Sequence, residues 1–211
     1  MAMEWQQKLE EGLAALALTE PALQAGLERY IGLLEKWNKA YNLTAIRDAG
    51  EMVTLHLLDS LVVAPLLPAG SLADVGTGAG LPGIPLAMLQ PEREITLLDS
   101  NIKKTRFCQQ AVLELGLKNV TVVHCRDSDY HPDRPFANVI SRAFASLADF
   151  VAGTEHLVAD GGSLLAMKGA YPEDEVKALP ARARVQASHP LVVPGLDAER
   201  HLLDIRLTGS P

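Results

Sequence analysis

The segment 72-LADVGTGAGLPGIPLAM-88 joins a short apolar run to a glycine-rich loop and then to a second apolar stretch. Gly78, Gly80 and Gly83 fit G-x-G-x-x-G, the fingerprint of units in which the backbone approaches a dinucleotide closely. Read from Asp74, the same loop is acid-x-G-x-G-x-G, a form that suits a cofactor carrying positive charge. The loop therefore predicts a nucleotide-like cofactor, either NAD or S-adenosylmethionine (SAM), and the alternative is a tight strand-to-helix turn that binds no ligand.

Acidic residues accompany each of the first three apolar runs. They are Asp74, Asp99 in 95-ITLLDS-100 and Asp127 in 122-VVHCRDS-128. A pyrophosphate prefers a helix N-terminus without competing anions, whereas the sulfonium and ammonium of SAM attract carboxylates. Asp99 suits a ribose diol in either cofactor, but Asp74 and Asp127 are not required for NAD. The pattern favours SAM and hence methyl transfer.

The choice of methyl acceptor is narrowed by residues that the chain does not carry. Segment 138-NVISRAF-144 lacks the Asn/Asp-Pro-Pro-aromatic turn common where exocyclic amines of bases are methylated. Methylation of C5 in pyrimidines needs a cysteine nucleophile, but Cys108 falls in a predicted helix and Cys125 has no Pro-Cys motif. Guanine N7 is a bare acceptor with no proton to remove, so its methylation needs positioning and no general base.

Three cations stand at or near the ends of predicted strands. Arg126, Arg142 and Lys168 could donate hydrogen bonds to guanine O6 or to phosphate. Arg142 comes directly after the fourth strand and is predicted to point into the ligand crevice. The alternative for Arg142 is an ion pair with Asp127 or Asp99.

Two further groups allow more than one interpretation. Lys103, Lys104 and Arg106 open a predicted helix, where they could meet RNA backbone or form a solvated face. His56 and Asp59 share one helical face. They either orient the N-terminal helices against the site or form a buried hydrogen-bonded pair.

These residues must be positioned by alternating strands and helices. The predicted strands are LADV (72–75), EITLLD (94–99), VTVVHC (120–125), ANVIS (137–141) and SLLAMK (163–168), with helices over 82–90, 101–116 and 144–158. The alternation predicts an α/β fold, with a mostly parallel sheet and helices on both faces. Residues 200–208 alternate apolar and polar side chains, which predicts a terminal strand pairing antiparallel with 191–193.

The first third of the chain reads differently. Residues 4–46 predict helices, because apolar residues recur at helical spacing from Leu23 to Leu34. A further helix fits 51–67. We therefore predict an N-terminal helical extension, residues 1–70, packed as one compact unit on a SAM-binding core, residues 71–211.

Composition limits the classes of function. The 211 residues carry a formal net charge of −7, which argues against a broad basic surface for nucleic acid but allows a local basic patch. The sequence contains neither the ~18 uninterrupted apolar residues that a membrane span requires nor a signal-peptide pattern. We therefore expect a cytoplasmic protein without a membrane span. Two cysteines and six scattered histidines fit no zinc spacing, and no metal site is predicted.

Six segments, in the same order from Trp37 to Ile205, resemble the RsmG family, also called glucose-inhibited division protein B. They are 37-WNKAYNLTAIRD-48, 56-HLLDSLVVAP-65, 74-DVGTGAGLPGIPLA-87, 139-VISRAFASL-147, 167-MKG-169 and 199-ERHLLDI-205. The resemblance implies a class I, Rossmann-like, SAM-dependent methyltransferase fold. It also implies bacterial methylation at N7 of one guanine in the 530 loop of 16S ribosomal RNA.

The resemblance also implies roles for individual residues. The family's SAM contacts fall on Gly76, Leu81, Asp127, Ser128 and Arg142, and Gly78 and Asp99 complete the candidate cofactor set. Positions implicated in activity fall on Arg126 and Lys168, which with Arg142 are the candidate catalytic residues. The family often has a small apolar residue and Glu where this chain has Asp127 and Ser128, so the carboxylate is displaced by one position. It also tends to have Asp where this chain has Asn138.

The expected partner is 16S RNA in a small ribosomal subunit or an assembly intermediate. We expect the protein to bind it as a monomer. Recognition of a preformed particle by shape would fit the acidic net charge. Three alternatives stay open: an NAD-dependent oxidoreductase, a non-catalytic RNA-binding assembly factor with a SAM pocket, and a methyltransferase for a small molecule or a protein.

Overall fold

A seven-stranded mixed sheet runs from Leu72 to Leu207 in a computed structural model that describes residues 4–208. Its strands are β1 (Leu72–Val75), β2 (Ile95–Asp99), β3 (Val120–His124), β4 (Phe136–Ser141), β5 (Val158–Lys168), β6 (Ala183–Pro190) and β7 (His201–Leu207). The order is β3-β2-β1-β4-β5-β7-β6; β1 to β5 are parallel and β7 is antiparallel to both neighbours. The predicted fold class is confirmed.

Helices cover both faces of this sheet. They are α1 (Glu4–Ala15), α2 (Pro21–Tyr41), α3 (Ala49–Met52), α4 (Asp59–Leu61), α5 (Gly83–Leu89), α6 (Ile102–Leu115), α7 (Leu147–Thr154) and α8 (Glu173–Lys177). One buried layer joins the N-terminal helices, α5 and α6 to the sheet, and a second layer lies under α7. Strand β1 serves both, because Leu72 belongs to the first layer and Ala73 and Val75 to the second.

The segment between α3 and α4 is a π-helix, Val53–Leu58, so the single helix predicted over 51–67 is interrupted. The Asp59 amide donates to the carbonyls of Thr54 and His56, and not to that of Leu55 as in an α-helix. By length and composition alone, 49–66 could cross a membrane. Most of it is buried inside the fold, and it packs here as a core segment.

The N-terminal helices contact the glycine loop directly. Tyr30 on α2 is fully buried, and its hydroxyl donates to the Ala79 carbonyl at 2.6 Å. The Tyr30 ring also packs on Phe107 of α6, with 6.1 Å between ring centroids. Helix α2 therefore braces the loop that follows β1.

The prediction that residues 191–193 pair with the terminal strand holds only at Leu191, whose amide donates to the Arg200 carbonyl at 2.8 Å. The strand beside β7 is β6, Ala183–Pro190, and 191–193 follow it. Side chains of β6 alternate between exposed and less exposed, but its inward residues include small alanines at an edge of the sheet. That composition gives a weak strand signal. Strand β5 also begins earlier than predicted, at Val158, and α7 ends at Thr154.

Candidate functional site

The glycine loop follows β1 at the point where strand order reverses, between β1 and β4. Ligands of open α/β sheets bind at such a switch point. Gly76, Gly78 and Gly80 have φ angles of 69°, 61° and 85°, in the left-handed region that favours glycine. A Cβ on Gly76 would lie 2.7 Å from the Cβ of Ala143. The loop therefore needs glycine for its conformation and for its close approach to the segment after β4.

Asp74 holds this loop from beneath. It is buried, and its Oδ2 accepts hydrogen bonds from the Thr77 hydroxyl at 2.6 Å and from the Gly83 amide at 2.8 Å. Burial raises the pKa of Asp74 to about 6, although these two hydrogen bonds oppose the shift. The sequence favoured Asp74 as a charge partner for a cofactor. In the structure, its carboxylate also fixes the shape of the loop.

Asp99 ends β2 and joins the loop to the next helix. Its Oδ2 accepts from the Gly78 amide at 2.9 Å, and its Oδ1 accepts from the Asn101 amide at 2.8 Å. Lys104 Nζ lies 3.8 Å from the same carboxylate. The carboxylate is thus fixed in orientation at the carboxyl edge of the sheet.

A cavity opens beside the loop, and we call it the acidic cavity. Its lining includes Val75, Gly76, Asp99, Cys125, Asp127 and Phe144. Two carboxylates line it, and within residues 4–208 no lysine or arginine does. A cradle of glycine backbone with carboxylates fits the sulfonium, ammonium and ribose groups of SAM, and it does not fit a pyrophosphate.

A second cavity lies on the other side of the segment after β4, and we call it the basic cavity. Its lining includes Leu55, His56, Asp59, Arg142, Lys168 and Arg200. Three cations thus face one carboxylate. The two cavities adjoin, because Arg142 lines the basic cavity while Ala143 and Phe144 line the acidic one.

Arg142 is held by the π-helical segment. Its Nη1 donates to Asp59 Oδ2 at 3.0 Å and to the Leu55 carbonyl at 3.1 Å. That carbonyl is available because the Asp59 amide bypasses it. The predicted alternative for Arg142, an ion pair with Asp127 or Asp99, was wrong; its partner Asp59 lies 83 residues away along the chain.

His56 completes this side of the basic cavity as a neutral ring. Its Nε2 lies 2.9 Å from the Thr44 hydroxyl, and its Nδ1 lies 3.1 Å from the Leu55 carbonyl. Burial lowers the pKa of His56 to about 4, and the positive charge of Arg142 contributes to the same shift. His56 and Asp59 therefore connect the N-terminal helices to Arg142, and their side chains do not hydrogen-bond with each other in the described part of the chain.

Lys168 ends β5 at the wall of the basic cavity. Its Nζ lies 2.8 Å from Glu175 Oε2 and 3.4 Å from the carbonyls of Phe144 and Ala145. Glu175 also accepts from the Leu147 amide at the start of α7. Lys168 is thereby tied to the segment that separates the two cavities.

Several predicted residues lie outside both linings. Leu81 is buried in the core, and its amide donates to the Thr77 carbonyl. Arg126 and Ser128 are exposed, and the Ser128 hydroxyl donates to Asp129. Gly78 takes part through its bond to Asp99. The roles of these four in binding or activity stay predictions, as do those of the predicted residues that line the cavities.

Two residues show where the sequence signal was incomplete. Asn138 is buried at the start of β4, where its side-chain amide donates to the carbonyls of Pro68 and Ala69, away from both cavities. Arg200 was not predicted, yet it lines the basic cavity and its Nε donates to Asp59 at 3.0 Å. Its signal was the segment 199-ERHLLDI-205, which the resemblance marked without giving it a role.

Solved structures share this fold. A SAM dependent methyltransferase from Aquifex aeolicus has a TM-score of 0.58 at 18% identity, covering 74% of this chain and 93% of that one. The glycopeptide N-methyltransferase MtfA, complexed with S-adenosylhomocysteine, has a TM-score of 0.58 at 14% identity, covering 72% and 87%. The strand order, the glycine loop and its carboxylates define a class I SAM-dependent methyltransferase.

Sequence comparison gives the particular family. The family model described as rRNA small subunit methyltransferase G matches residues 23–203. A Ribosomal RNA small subunit methyltransferase G from Marinobacter nauticus is 55% identical over 201 residues, covering 95% of this chain and 94% of that protein. The chain belongs to the rRNA small subunit methyltransferase G family.

Proposed function

We propose that this protein transfers the methyl group of SAM to N7 of one guanine in the 530 loop of 16S ribosomal RNA. The observation that carries the proposal is the opposite charge of two adjoining cavities. The acidic cavity suits a cofactor with two cationic groups, and the basic cavity suits guanine O6 and phosphate oxygens. They meet at Arg142–Phe144, so the two ligands would be brought together there.

When bound, SAM supplies an electrophilic methyl group. The chain would hold it with the backbone of Gly76 and Gly78, with Asp99 at the ribose and with Asp127. On the family pattern, Leu81, Ser128 and Arg142 complete the cofactor contacts, but the lining of the basic cavity favours the acceptor side for Arg142. The tight loop, braced by Asp74, fixes these groups before the ligand arrives, which lowers the entropy lost on binding.

The basic cavity would hold the acceptor guanine. N7 has a lone pair and carries no proton, so a general base is not required. This agrees with a neutral, buried His56 that already has two partners. Arg142 and Lys168 would orient the base and its phosphate, with Arg126 contacting RNA from the exposed turn after β3. Catalysis would then come from positioning of the reactants.

We also propose that the substrate is a small-subunit particle and that the protein acts on it as a monomer in the cytoplasm. The formal net charge is −7, yet three cations line one cavity. Localised positive charge on an acidic protein favours a preformed RNA shape over extended phosphate contacts. Weak binding to naked RNA is therefore expected.

The test is methyl transfer from labelled SAM to small subunits from a strain that lacks this activity. Methylated N7 positions are then mapped by reduction and aniline cleavage. A single cut in the 530 loop would fix donor, acceptor and atom together. Incorporation without a cut would place the methyl group elsewhere, and no incorporation despite bound SAM would favour an assembly factor. Thermal shifts with SAM and with NAD separate the oxidoreductase alternative, because only a bound cofactor raises the melting temperature.

A further inference from the structure

Two segments of the family pattern, around Asp59 and around Arg200, have no individual role in the function proposed above, yet they meet in the fold. Asp59 is only 5% exposed, and each of its carboxylate oxygens accepts from a different arginine. Oδ1 lies 3.0 Å from Arg200 Nε, and Oδ2 lies 3.0 Å from Arg142 Nη1. One carboxylate thus joins the segment before β7 to the end of β4.

We propose that Arg200 is a further acceptor-binding residue, which contacts a phosphate of the RNA beside the methylated guanine, and that Asp59 is the positioning residue that aligns Arg200 and Arg142. This inference rests on the proposed function, because it assigns the phosphate to the RNA in the basic cavity.

The first support is the unused hydrogen-bonding capacity of Arg200. Its Nε donates to Asp59 and its Nη1 to the Glu199 carbonyl, and Nη2 has no partner in the described part of the chain. The side chain is 26% exposed and lines the basic cavity. An oriented guanidinium with free donors at a cavity wall suits a phosphate oxygen, for which arginine has the matching geometry.

The second support is the balance of charge around Asp59. Two guanidinium groups share a single carboxylate, so this cluster keeps a net positive charge, whereas Lys168, the third cation of the lining, is paired with Glu175. A pair that served stability alone would be neutral, since burying an uncompensated charge is costly. The excess charge is explained if an anion binds at the cavity.

The third support is the backbone that carries Asp59. The π-helix Val53–Leu58 ends directly before Asp59 and leaves the Leu55 carbonyl to accept from Arg142. A π-helical turn weakens the regular backbone pattern and is found often at functional sites. Here it gives Arg142 two acceptors from one segment, which restricts the rotation of its guanidinium.

The experiment uses the full chain with Arg200→Gln, Arg200→Lys and Asp59→Asn. Glu155→Gln is the matched control, since it breaks the surface ion pair between Glu155 and Arg182, which lines neither cavity. SAM affinity is measured by calorimetry, folding by circular dichroism, and KM and kcat on unmethylated small subunits over a range of salt concentrations.

For Arg200→Gln we expect KM for the subunit to rise about tenfold, with SAM affinity within about twofold of the parent protein. The slope of log affinity for the subunit against log salt should fall by about one, as for the loss of one phosphate contact. Arg200→Lys should keep the salt slope, because it keeps the charge. Asp59→Asn should raise KM similarly, and combining it with Arg200→Gln should add little, because both changes disturb one unit.

Unchanged KM and salt slope in Arg200→Gln would overturn the inference, as would a loss of SAM affinity equal to the rise in KM. If Asp59→Asn does not fold, the Arg200 variants still decide the matter. A parent protein that methylates no subunit at the 530 loop would instead sink the proposed function. Effects in Glu155→Gln equal to those in Arg200→Gln would show that general destabilisation is the cause.

Discussion

The acidic and basic cavities adjoin but are built in different ways. The acidic cavity is made by consecutive strand ends and by a loop whose backbone shape is fixed by glycines and by Asp74. The basic cavity is made by side chains from distant parts of the chain, of which Asp59 and Arg200 are 141 residues apart. On the proposed function, local backbone geometry would hold most of the cofactor, whereas charges that only the folded chain assembles would hold the acceptor.

The two cavities should therefore differ in the substitutions that they accept. A loop that depends on φ angles near 60–85° accepts few residues other than glycine. Side chains of the basic cavity do not depend on special φ angles, so we expect substitutions there to act through lost charge and lost hydrogen bonds. Substitutions should therefore separate the two cavities experimentally.

The largest effect is expected for Arg142→Ala. It removes the cation that stands at the junction of the cavities and leaves Asp59 with one partner. Transfer should fall by about 100-fold or more, as when a group that orients a reactant is lost. Calorimetry should show SAM affinity reduced by less than about threefold, with an unchanged circular dichroism spectrum.

A matched control is Arg182→Ala, which removes an exposed arginine paired with Glu155 and should leave transfer unchanged. If Arg142→Ala abolishes SAM binding as well, Arg142 belongs to the cofactor side, as the family pattern implies. If Arg142→Ala keeps its methyl-transfer activity, Arg142 is only a structural ion-pair partner. That result would contradict the proposed role of the basic cavity in binding the acceptor.

The next effect is expected for Gly76→Ala, on the acidic side. The new Cβ would stand 2.7 Å from the Cβ of Ala143, on backbone with a φ of 69°. Left-handed backbone costs a residue with a Cβ about 1–2 kcal/mol, so SAM affinity should fall about tenfold or more. Binding calorimetry measures it.

Gly32→Ala is the control for this change. A Cβ on Gly32, in helix α2, would meet no atom within 4 Å, so the substitution should leave SAM affinity as it is and slightly stabilise the helix. Equal SAM affinity in the parent protein and in Gly76→Ala would show that the loop does not depend on its close approach to Ala143.

The smallest effect on the reaction concerns pH, and it comes from two buried groups with shifted pKa values, His56 in the basic cavity and Asp74 beneath the glycine loop. His56 has a folded pKa of about 4 against an ordinary 6.5, so the unfolded chain binds its proton more tightly and stability rises with pH across that window. Asp74 has a folded pKa of about 6 against 3.8, so stability falls as pH rises across its window. The two effects oppose each other between pH 4 and 6.

Asp74→Asn should leave the contribution of His56, so the free energy of unfolding should rise by up to about 1.4 kcal/mol per pH unit between pH 4 and 6. His56→Gln should give the opposite slope. Urea unfolding at several pH values measures both. Parallel pH profiles for the parent protein and the two variants would contradict the assigned shifts.

The contrast between the cavities also explains how much the sequence could predict. The glycine loop, Asp99 and Asp127 were recognisable because they follow strands at short, regular spacing, and the structure brings all of them to one edge of the sheet. Arg142 was placed correctly at the end of β4, but its partner was not, because nothing local links it to Asp59. Strand β6 was missed because its small and polar residues resemble a loop.

The contact between Tyr30 and the Ala79 carbonyl has a consequence for the chain as a whole. A ligand that stabilises the loop must also stabilise the docking of helix α2. Because linkage is reciprocal, a change that loosens α2 must lower the affinity for the ligand by the same free energy. Cofactor loading should therefore slow hydrogen exchange of the amides in α2, far from the methyl group. The stability of the N-terminal helices would then depend on whether the cofactor is bound.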